Sequence, residues 1–279
     1  MRSIKQLFRL LLCSLLGLYL LSGCGKPSSP PPNSSPASSS LASSISPEST
    51  SQPEQTTLSP EPDPEPTTPE HSELYIPGIS VEDVILYFNE VCLDAEIIDA
   101  GDPSHLQKWG SPIYVMLHGQ YTDEDLATLS SFTDWLNSID GFPGIFQTQN
   151  PDQASLNFHF CPQEELLDLM GDHLRGLGGV DGAVTFRYAD NVIYDAIICC
   201  RSDLDQFLRN SVILEELYNG LGPIQDTNLR SDSIIYAEFS EPQTLTEVDQ
   251  LLLKLLYHPT LQCGMDAEAC EAVIRQLYY

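Results

Sequence analysis

Gly182 to Cys200 reads GAVTFRYADNVIYDAIICC. Gly182–Tyr188 and Val192–Cys200 are rich in β-branched and aromatic residues, and Ala189-Asp190-Asn191 between them has turn chemistry, so the stretch predicts a β-hairpin. Hairpin strands are antiparallel neighbours. Helical and extended patterns alternate on both sides of this one, which argues for an α+β domain rather than a doubly wound sheet.

Upstream, Ser80-Val81-Glu82-Asp83 opens a helix with Val81, Val84, Ile85, Phe88 and Val91 at helical spacing. Pro112–His118 (PIYVMLH) predicts a strand. Thr122-Asp123-Glu124-Asp125 caps a second helix that carries Leu126, Leu129, Phe132, Trp135 and Leu136 on one side. Short strands are expected at Gly144–Thr148 and Ser155–Cys161, then a helix over Gln163–Met170 led by Pro162. Gly171–Gly182 is a glycine-rich loop. Downstream of the hairpin, Ser202-Asp203-Leu204-Asp205 opens a long helix to about Leu221. Ile234–Phe239 is a short extended piece, and Thr246–Leu256 and Asp266–Leu277 are closing helices. No internal repeat is present.

The 279 residues fall into three segments: 1–23, 24–72 and 73–279. Lys and Arg number 12 against 40 Asp and Glu, a formal charge of −28. Residues 73–279 hold 8 of those cations and 34 of those acids. That surface repels phosphate backbones, which excludes nucleic acid as a partner, and anionic headgroups are disfavoured for the same reason. A block of this length with aromatics throughout can bury a core, so wholesale disorder is excluded too.

Met1–Arg9 carries Arg2, Lys5 and Arg9 and no acid, and Leu10–Leu21 (LLLCSLLGLYLL) is almost wholly apolar. This is the n-region and h-region of a signal peptide, too short for a comfortable membrane span of about 20 residues. The run ends in Leu21-Ser22-Gly23-Cys24, which resembles the lipobox of bacterial lipoproteins. That resemblance implies cleavage before Cys24 and diacylglycerol on its thiol, with palmitate-type acyl chains holding the protein to the extracytoplasmic face of a membrane. A thiolate suits the attack on a lipid donor. The other reading is an ordinary signal peptide with an incidental Cys24. Lys26–Ser72 has 12 Pro and 14 Ser in 47 residues. Such a segment cannot offset its ordering entropy and is expected to act as a disordered tether spanning about 40 Å.

Ile213-Leu214-Glu215-Glu216-Leu217-Tyr218-Asn219-Gly220-Leu221-Gly222 lies on the long helix. Its frame resembles the metzincin peptidase helix, His-Glu-x-x-His-x-x-Gly-x-x-His, in which imidazoles one turn apart hold zinc and the glutamate polarises water. Glu216 takes the glutamate position and Gly222 the glycine position. Asp232-Ser233-Ile234-Ile235-Tyr236 resembles the Ser-x-Met-Tyr turn beneath the metal in matrixins, with Ile235 for methionine. All three ligand positions differ: Glu215, Asn219 and Gln225 stand where histidines belong. The resemblance implies a zincin-like single domain with a mixed or antiparallel sheet, a long central helix and two C-terminal helices. It implies no metal and no cofactor, because one carboxylate and two amides hold zinc poorly. Three readings of Glu215-Glu216 stand together: solvated carboxylates on an exposed face, a structural Glu216 bonded to backbone or Asn219, and a working catalytic Glu216.

A second resemblance spans most of Val81–Leu277. Asp102-Pro103-Ser104 leads to Lys108-Trp109 and Pro112–Leu117. Leu214-Glu215-Glu216-Leu217, Gly220-Leu221-Gly222 and Asp232-Ser233-Ile234 follow, then Leu245-Thr246-Glu247-Val248-Asp249, Leu251–Tyr257 and Gly264-Met265. In order these pieces are similar to a bacterial lipoprotein family of unknown function, DUF2927, which implies a fold and a location but no reaction.

The six cysteines of the block permit disulfides outside the cytosol. Cys263 with Cys270 would staple a loop onto the last helix; the other four read equally as bridges or buried thiols. Adjacent Cys199 and Cys200 point to opposite faces of a strand and need different partners. His159 and Cys161 share a strand face and read as core. His105, His118, His173 and His258 lack ligand spacing, and His71 lies in the tether. CxxC, GxSxG, a phosphate loop and Gly-x-Gly-x-x-Gly are absent. The acids of Asp226–Asp232 lack the glycine and final glutamate of a calcium loop.

The expected protein is therefore a membrane-anchored extracytoplasmic lipoprotein whose zincin-like domain binds or scaffolds without catalysis, with a peptide or an envelope protein as partner. The alternatives are a peptidase-like hydrolase with Glu216 as general base and a solute-binding lipoprotein.

Overall fold

The computed structural model describes residues 72–93, 105–171, 174–175, 179–238 and 240–279. The signal peptide, Cys24 and the tether lie outside the described residues, and no helix among those described is long and apolar enough to cross a membrane.

Helix α1 is Val81–Cys92, capped by the Ser80 hydroxyl, and its helically spaced Val81, Val84, Ile85, Phe88 and Val91 are all buried. Strand β1 is the pair Lys108–Trp109 and β2 is Ile113–Gly119. Helix α2, Asp123–Leu136, starts on a capping box in which Thr122 and Asp125 each bond the other's backbone N–H. Strands β3 (Ile145–Gln147) and β4 (Leu156–Cys161) follow, then helix α3, Gln163–Met170. Strands β5 (Gly182–Ala189) and β6 (Val192–Arg201) form the hairpin. Asp190 and Asn191 both take positive φ, 51° and 62°, as a two-residue turn of the twist-matching kind requires. Helix α4 is Gln206–Asn219, capped by Asp205 rather than at Ser202, and helices α5 (Glu247–Tyr257) and α6 (Ala267–Tyr278) close the chain.

A mixed or antiparallel sheet was expected; the sheet is mixed but mostly parallel, which corrects the antiparallel alternative. Among the described residues β2 pairs β3 and β4, β4 pairs β6, and β1 pairs β6, all parallel, and β5 with β6 alone is antiparallel. Among the described residues the hairpin is the one tight connection between paired strands, and the parallel partners are reached through helices and longer loops. Because β5 occupies one edge of β6, β1 and β4 share the other. The order across the sheet is therefore β3-β2-β4-β6-β5, with β1 beside the start of β6. Of Ile234–Phe239, expected as extended, the described residues instead hold a turn over Ser233–Tyr236 with one isolated bridge, Thr227 to Tyr236, and Phe239 lies outside the described residues.

The period of two sorts the strands into faces. Ile113, Val115, Leu156, Phe158, Ala196, Ile198, Val184 and Phe186 share one face and form the main core with α4, α1 and α5. Helix α4 is the central helix: Ser211 through Asn219 are buried without interruption. On the other face α3 covers one end, packing Leu166, Leu167 and Met170 against Cys161, Cys199 and Ala183. The rest of that face carries half-buried Tyr114, Met116, His118, Asn157 and His159. His118 and His159 stack there with centroids 4.3 Å apart.

Candidate functional site: the buried end of helix α4

The last two turns of α4 carry Glu215, Glu216 and Asn219, and none of the three lies on an open surface. Glu216 is 0%, Asn219 4% and Glu215 9% exposed. The reading as solvated carboxylates is thereby set aside. Glu216 sits beneath the start of β5: a Cβ on Gly182 would come within 2.6 Å of Glu216 Oε1 and 2.5 Å of a Val212 methyl. Glycine at 182 is thus what lets the strand pass over the carboxylate. The Glu216 charge is felt on both sides of β6. Burial and then Glu216 push the Cys200 thiol well up, and Glu216 adds to the rise at Cys199, whose largest cause is its hydrogen bond with Cys161. Asn219 Oδ1 is buried and has no hydrogen-bond partner among the described residues.

The helix ends at Asn219, within two residues of the expected Leu221. Trp109 Nε1 donates to Gly220 O (2.8 Å) and Tyr257 Oη to Leu221 O (2.6 Å), so two aromatic donors satisfy carbonyls that the helix end leaves open. Gly222 has φ +128°, and a Cβ there would lie 2.6 Å from Gln107 O, so only glycine makes this turn. The chain then runs to α1, where the backbone N–H groups of Ile224 and Gln225 both donate to Val91 O. Lys108 closes the neighbouring corner: its ammonium donates to Leu256 O at the end of α5 (2.8 Å) and to Leu261 O in the loop beyond, and burial lowers its pKa.

The turn resembling the one under a matrixin metal is held by a carboxylate. Ser233, Ile234 and Ile235 are buried, and Asp249 on α5 accepts from Ser233 Oγ (2.7 Å) and Ile234 N (3.2 Å). Asp249 also accepts from Tyr87 Oη (3.2 Å), Thr246 N (2.9 Å) and Thr246 Oγ1 (2.8 Å). Burial first, and the Asp249 charge second, push the Tyr87 phenol far above its ordinary value. A second buried carboxylate, Asp125 on α2, accepts from Arg209 Nε (2.8 Å) and Gln206 Nε2 (2.7 Å), tying α2 to the start of α4. Burial raises the Asp125 carboxyl, but the Thr122 N–H, Gln206 and Arg209 outweigh it and hold the group below the ordinary carboxylate range.

The structure thus brings Glu215, Glu216 and Asn219 together on one helix and pins Gln225 to α1. Among the described residues, no three His, Cys, Asp or Glu side chains converge as metal ligands would. The donor set does not fit zinc, which wants about three strong nitrogen, sulfur or carboxylate donors. All six described cysteines are free thiols: Cys263 donates to Lys108 O, and Cys270 is buried with its pKa raised to about 11, by burial first. Cys199 and Cys200 take opposite faces as expected, Cys199 beside Cys161 and Cys200 in the main core. Cys161 is buried as expected, whereas His159 is only half-buried on the face away from the main core, where burial, then His118, lowers its pKa.

Sequence reasoning missed Asp125, Arg209, Asp249 and Lys108. Both aspartates stand at the third helical position of a Thr-x-x-Asp capping box, a visible signal whose second use was not. Residues 82–276 match the family described as protein of unknown function (DUF2927). The chain belongs to the DUF2927 family. The matched span of the DUF2927 domain takes in the sheet, α4, the Ser233 turn and both Thr-x-x-Asp boxes. No curated protein matches the chain.

Proposed function

We propose that this protein is a membrane-anchored extracytoplasmic lipoprotein whose DUF2927 domain is a zincin-like, non-catalytic binding or scaffolding module. The anchor reading rests on the basic start, the apolar run and Leu21-Ser22-Gly23-Cys24. The zincin-like reading is supported by a mixed sheet with an antiparallel edge hairpin, the buried α4 frame, the Gly222 turn and the buried Ser233–Ile235 turn. The non-catalytic reading is supported by the donor set: without an acidified metal-bound water, Glu216 has nothing to deprotonate.

The observation that carries the binding role is the edge of β5. Among the described residues β5 pairs with β6 alone. Arg201 N donates to Asp181 O (2.9 Å), which sets the alternation, so Gly182, Val184 and Phe186 turn their N–H and C=O groups outward. An extended peptide can add to such an edge by main-chain bonds. Gly182, where β5 begins, is also where the chain crosses Glu216.

Three measurements test the reading on the full chain. Cys24→Ala should abolish fatty-acid labelling; continued labelling in the membrane fraction sinks the anchor. Metal analysis should find no stoichiometric zinc, and casein or peptide hydrolysis should stay at background. Stoichiometric zinc with hydrolysis that disappears in Glu216→Gln promotes the hydrolase instead. Extended peptides selected for binding should lose affinity in Val184→Pro, which removes one outward N–H and no ladder bond. Undiminished binding moves the partner elsewhere.

A further inference from the structure

A cavity of about 190 Å³ lies between α2 and the β2–β3 corner of the sheet and reaches Leu217 in the last turn of α4. Val115 and Leu117 of β2 form one wall and Leu126 and Leu129 of α2 the other, with Phe158 and Leu217 at the bottom. The gap has a local origin. Thr133 follows Leu129 by one turn and stands where a larger apolar side chain would close the space. β3, only three residues long, ends beside it.

The lining also fixes the chemistry. An apolar cavity of about 150 Å³ stays dry and accepts benzene, so this one suits a hydrocarbon group somewhat larger, about eight carbons. Its polar lining is Ser130, Thr133 and Gln147, two hydroxyls and an amide; Ser130 and Gln147 are exposed and mark the mouth. Among the described residues no ionisable side chain lines it. A carboxylate or phosphate head would meet no cation at this rim, and the domain's large acid excess would repel it. Hydroxyls and amides, by contrast, exchange hydrogen bonds with a neutral hydroxyl-bearing head at little cost.

We propose that this cavity binds the tail of a neutral amphiphile, a medium-length acyl or alkyl chain whose uncharged hydroxyl-bearing head sits at Ser130, Thr133 and Gln147. The site lies apart from the β5 edge, so it stands or falls independently of the peptide-binding reading.

The probe is monooctanoylglycerol, titrated below its micelle concentration into the full chain, with octanoate as the charged counterpart. Methyl NMR signals of Leu126, Leu129 and Leu217 report occupancy. Monooctanoylglycerol should give saturable shifts confined to these methyls, and octanoate should bind at least about tenfold more weakly. Ser130→Trp, an exposed helix position whose indole covers the mouth, should abolish the shifts with an unchanged thermal midpoint. If that variant does not fold, Thr133→Leu, which fills the gap from inside, gives the same readout. No saturable shift in the wild type, or full saturation in a folded blocking variant, overturns the site. Equal binding of octanoate overturns the neutral head group.

Discussion

Thr122-Asp123-Glu124-Asp125 and Thr246-Glu247-Val248-Asp249 are the same capping box used twice, and in both the final aspartate is fully buried. They differ in what surrounds the second carboxylate oxygen. At Asp125 it is a guanidinium and an amide, so the buried charge is neutralised by Arg209. At Asp249 it is the Tyr87 and Ser233 hydroxyls, while the Ile234 N–H joins Thr246 on the capping oxygen; all five donors are neutral. The first is an ion pair between two helices. The second solvates an anion with protein dipoles gathered from α1, the Ser233 turn and the cap of α5. An ion pair can be deleted as a pair; a solvation shell built from three elements cannot be.

The largest expected effect follows from that difference. Asp249→Ala removes the cap and leaves two backbone N–H groups and one of the Tyr87 and Ser233 hydroxyls, which still bond each other at 2.8 Å, without acceptor, at about 1–3 kcal/mol for each group left unsatisfied. The expected total loss in chemical denaturation is about 4–5 kcal/mol, enough to unfold a marginal domain. A loss below about 1 kcal/mol would mean that water replaces the carboxylate and that the shell is not closed.

Next comes Arg209→Met, which strands Asp125 and should cost about 3–5 kcal/mol. Asp125→Leu with Arg209→Met should recover most of it, because the two isosteric apolar side chains leave no buried charge. No comparable rescue exists at Asp249, and a double-mutant cycle showing none at Asp125 either would erase the distinction.

Acid gives a smaller effect. The Asp125 carboxyl is held below its unfolded value of 3.8, so its contribution is fully present above about pH 4 and is lost as pH falls through the folded-state value. Thermal midpoints taken between pH 5 and pH 2 should fall, and less steeply in Asp125→Asn. Identical slopes would assign the acid sensitivity to other carboxylates.

The smallest change is Tyr87→Phe. It deletes one of five donors to Asp249 and should cost about 1 kcal/mol. A cost equal to that of Asp249→Ala would make the phenol the essential donor and the shell far less distributed.

Local signals carried most of the fold. The Asp190-Asn191 turn, the caps at Ser80, Thr122 and Thr246 and the helical spacing in α1 are each written in a few neighbouring residues, and their elements sit within about two residues of the expected bounds. Parallel pairing is not local: Leu156 opposite Ala196 is a register chosen by burial across the sheet, and no short-range pattern announces it. The site divides in the same way. Gly222 was legible as a turn because glycine alone tolerates its conformation. Burial of Glu216 was not legible, because it depends on Gly182 crossing the helix from a distant strand. Asp249 was visible as a cap, but its other donors come from residues as far away as Tyr87.

Tyr278, on the last helix, accepts from Ile76 N and donates to Ile79 O, its ring lying 5.5 Å from that of Tyr75. Arg275 adds a contact to Glu82 at the start of α1. Tension applied to the chain ahead of Ser72 therefore does not reach the strands first. It is taken up at this knot, where the first described residues are lashed to the last helix. The ladder between β4 and β6 carries load only after the lashing has slipped. A domain held from that side is tied at the place where it is pulled.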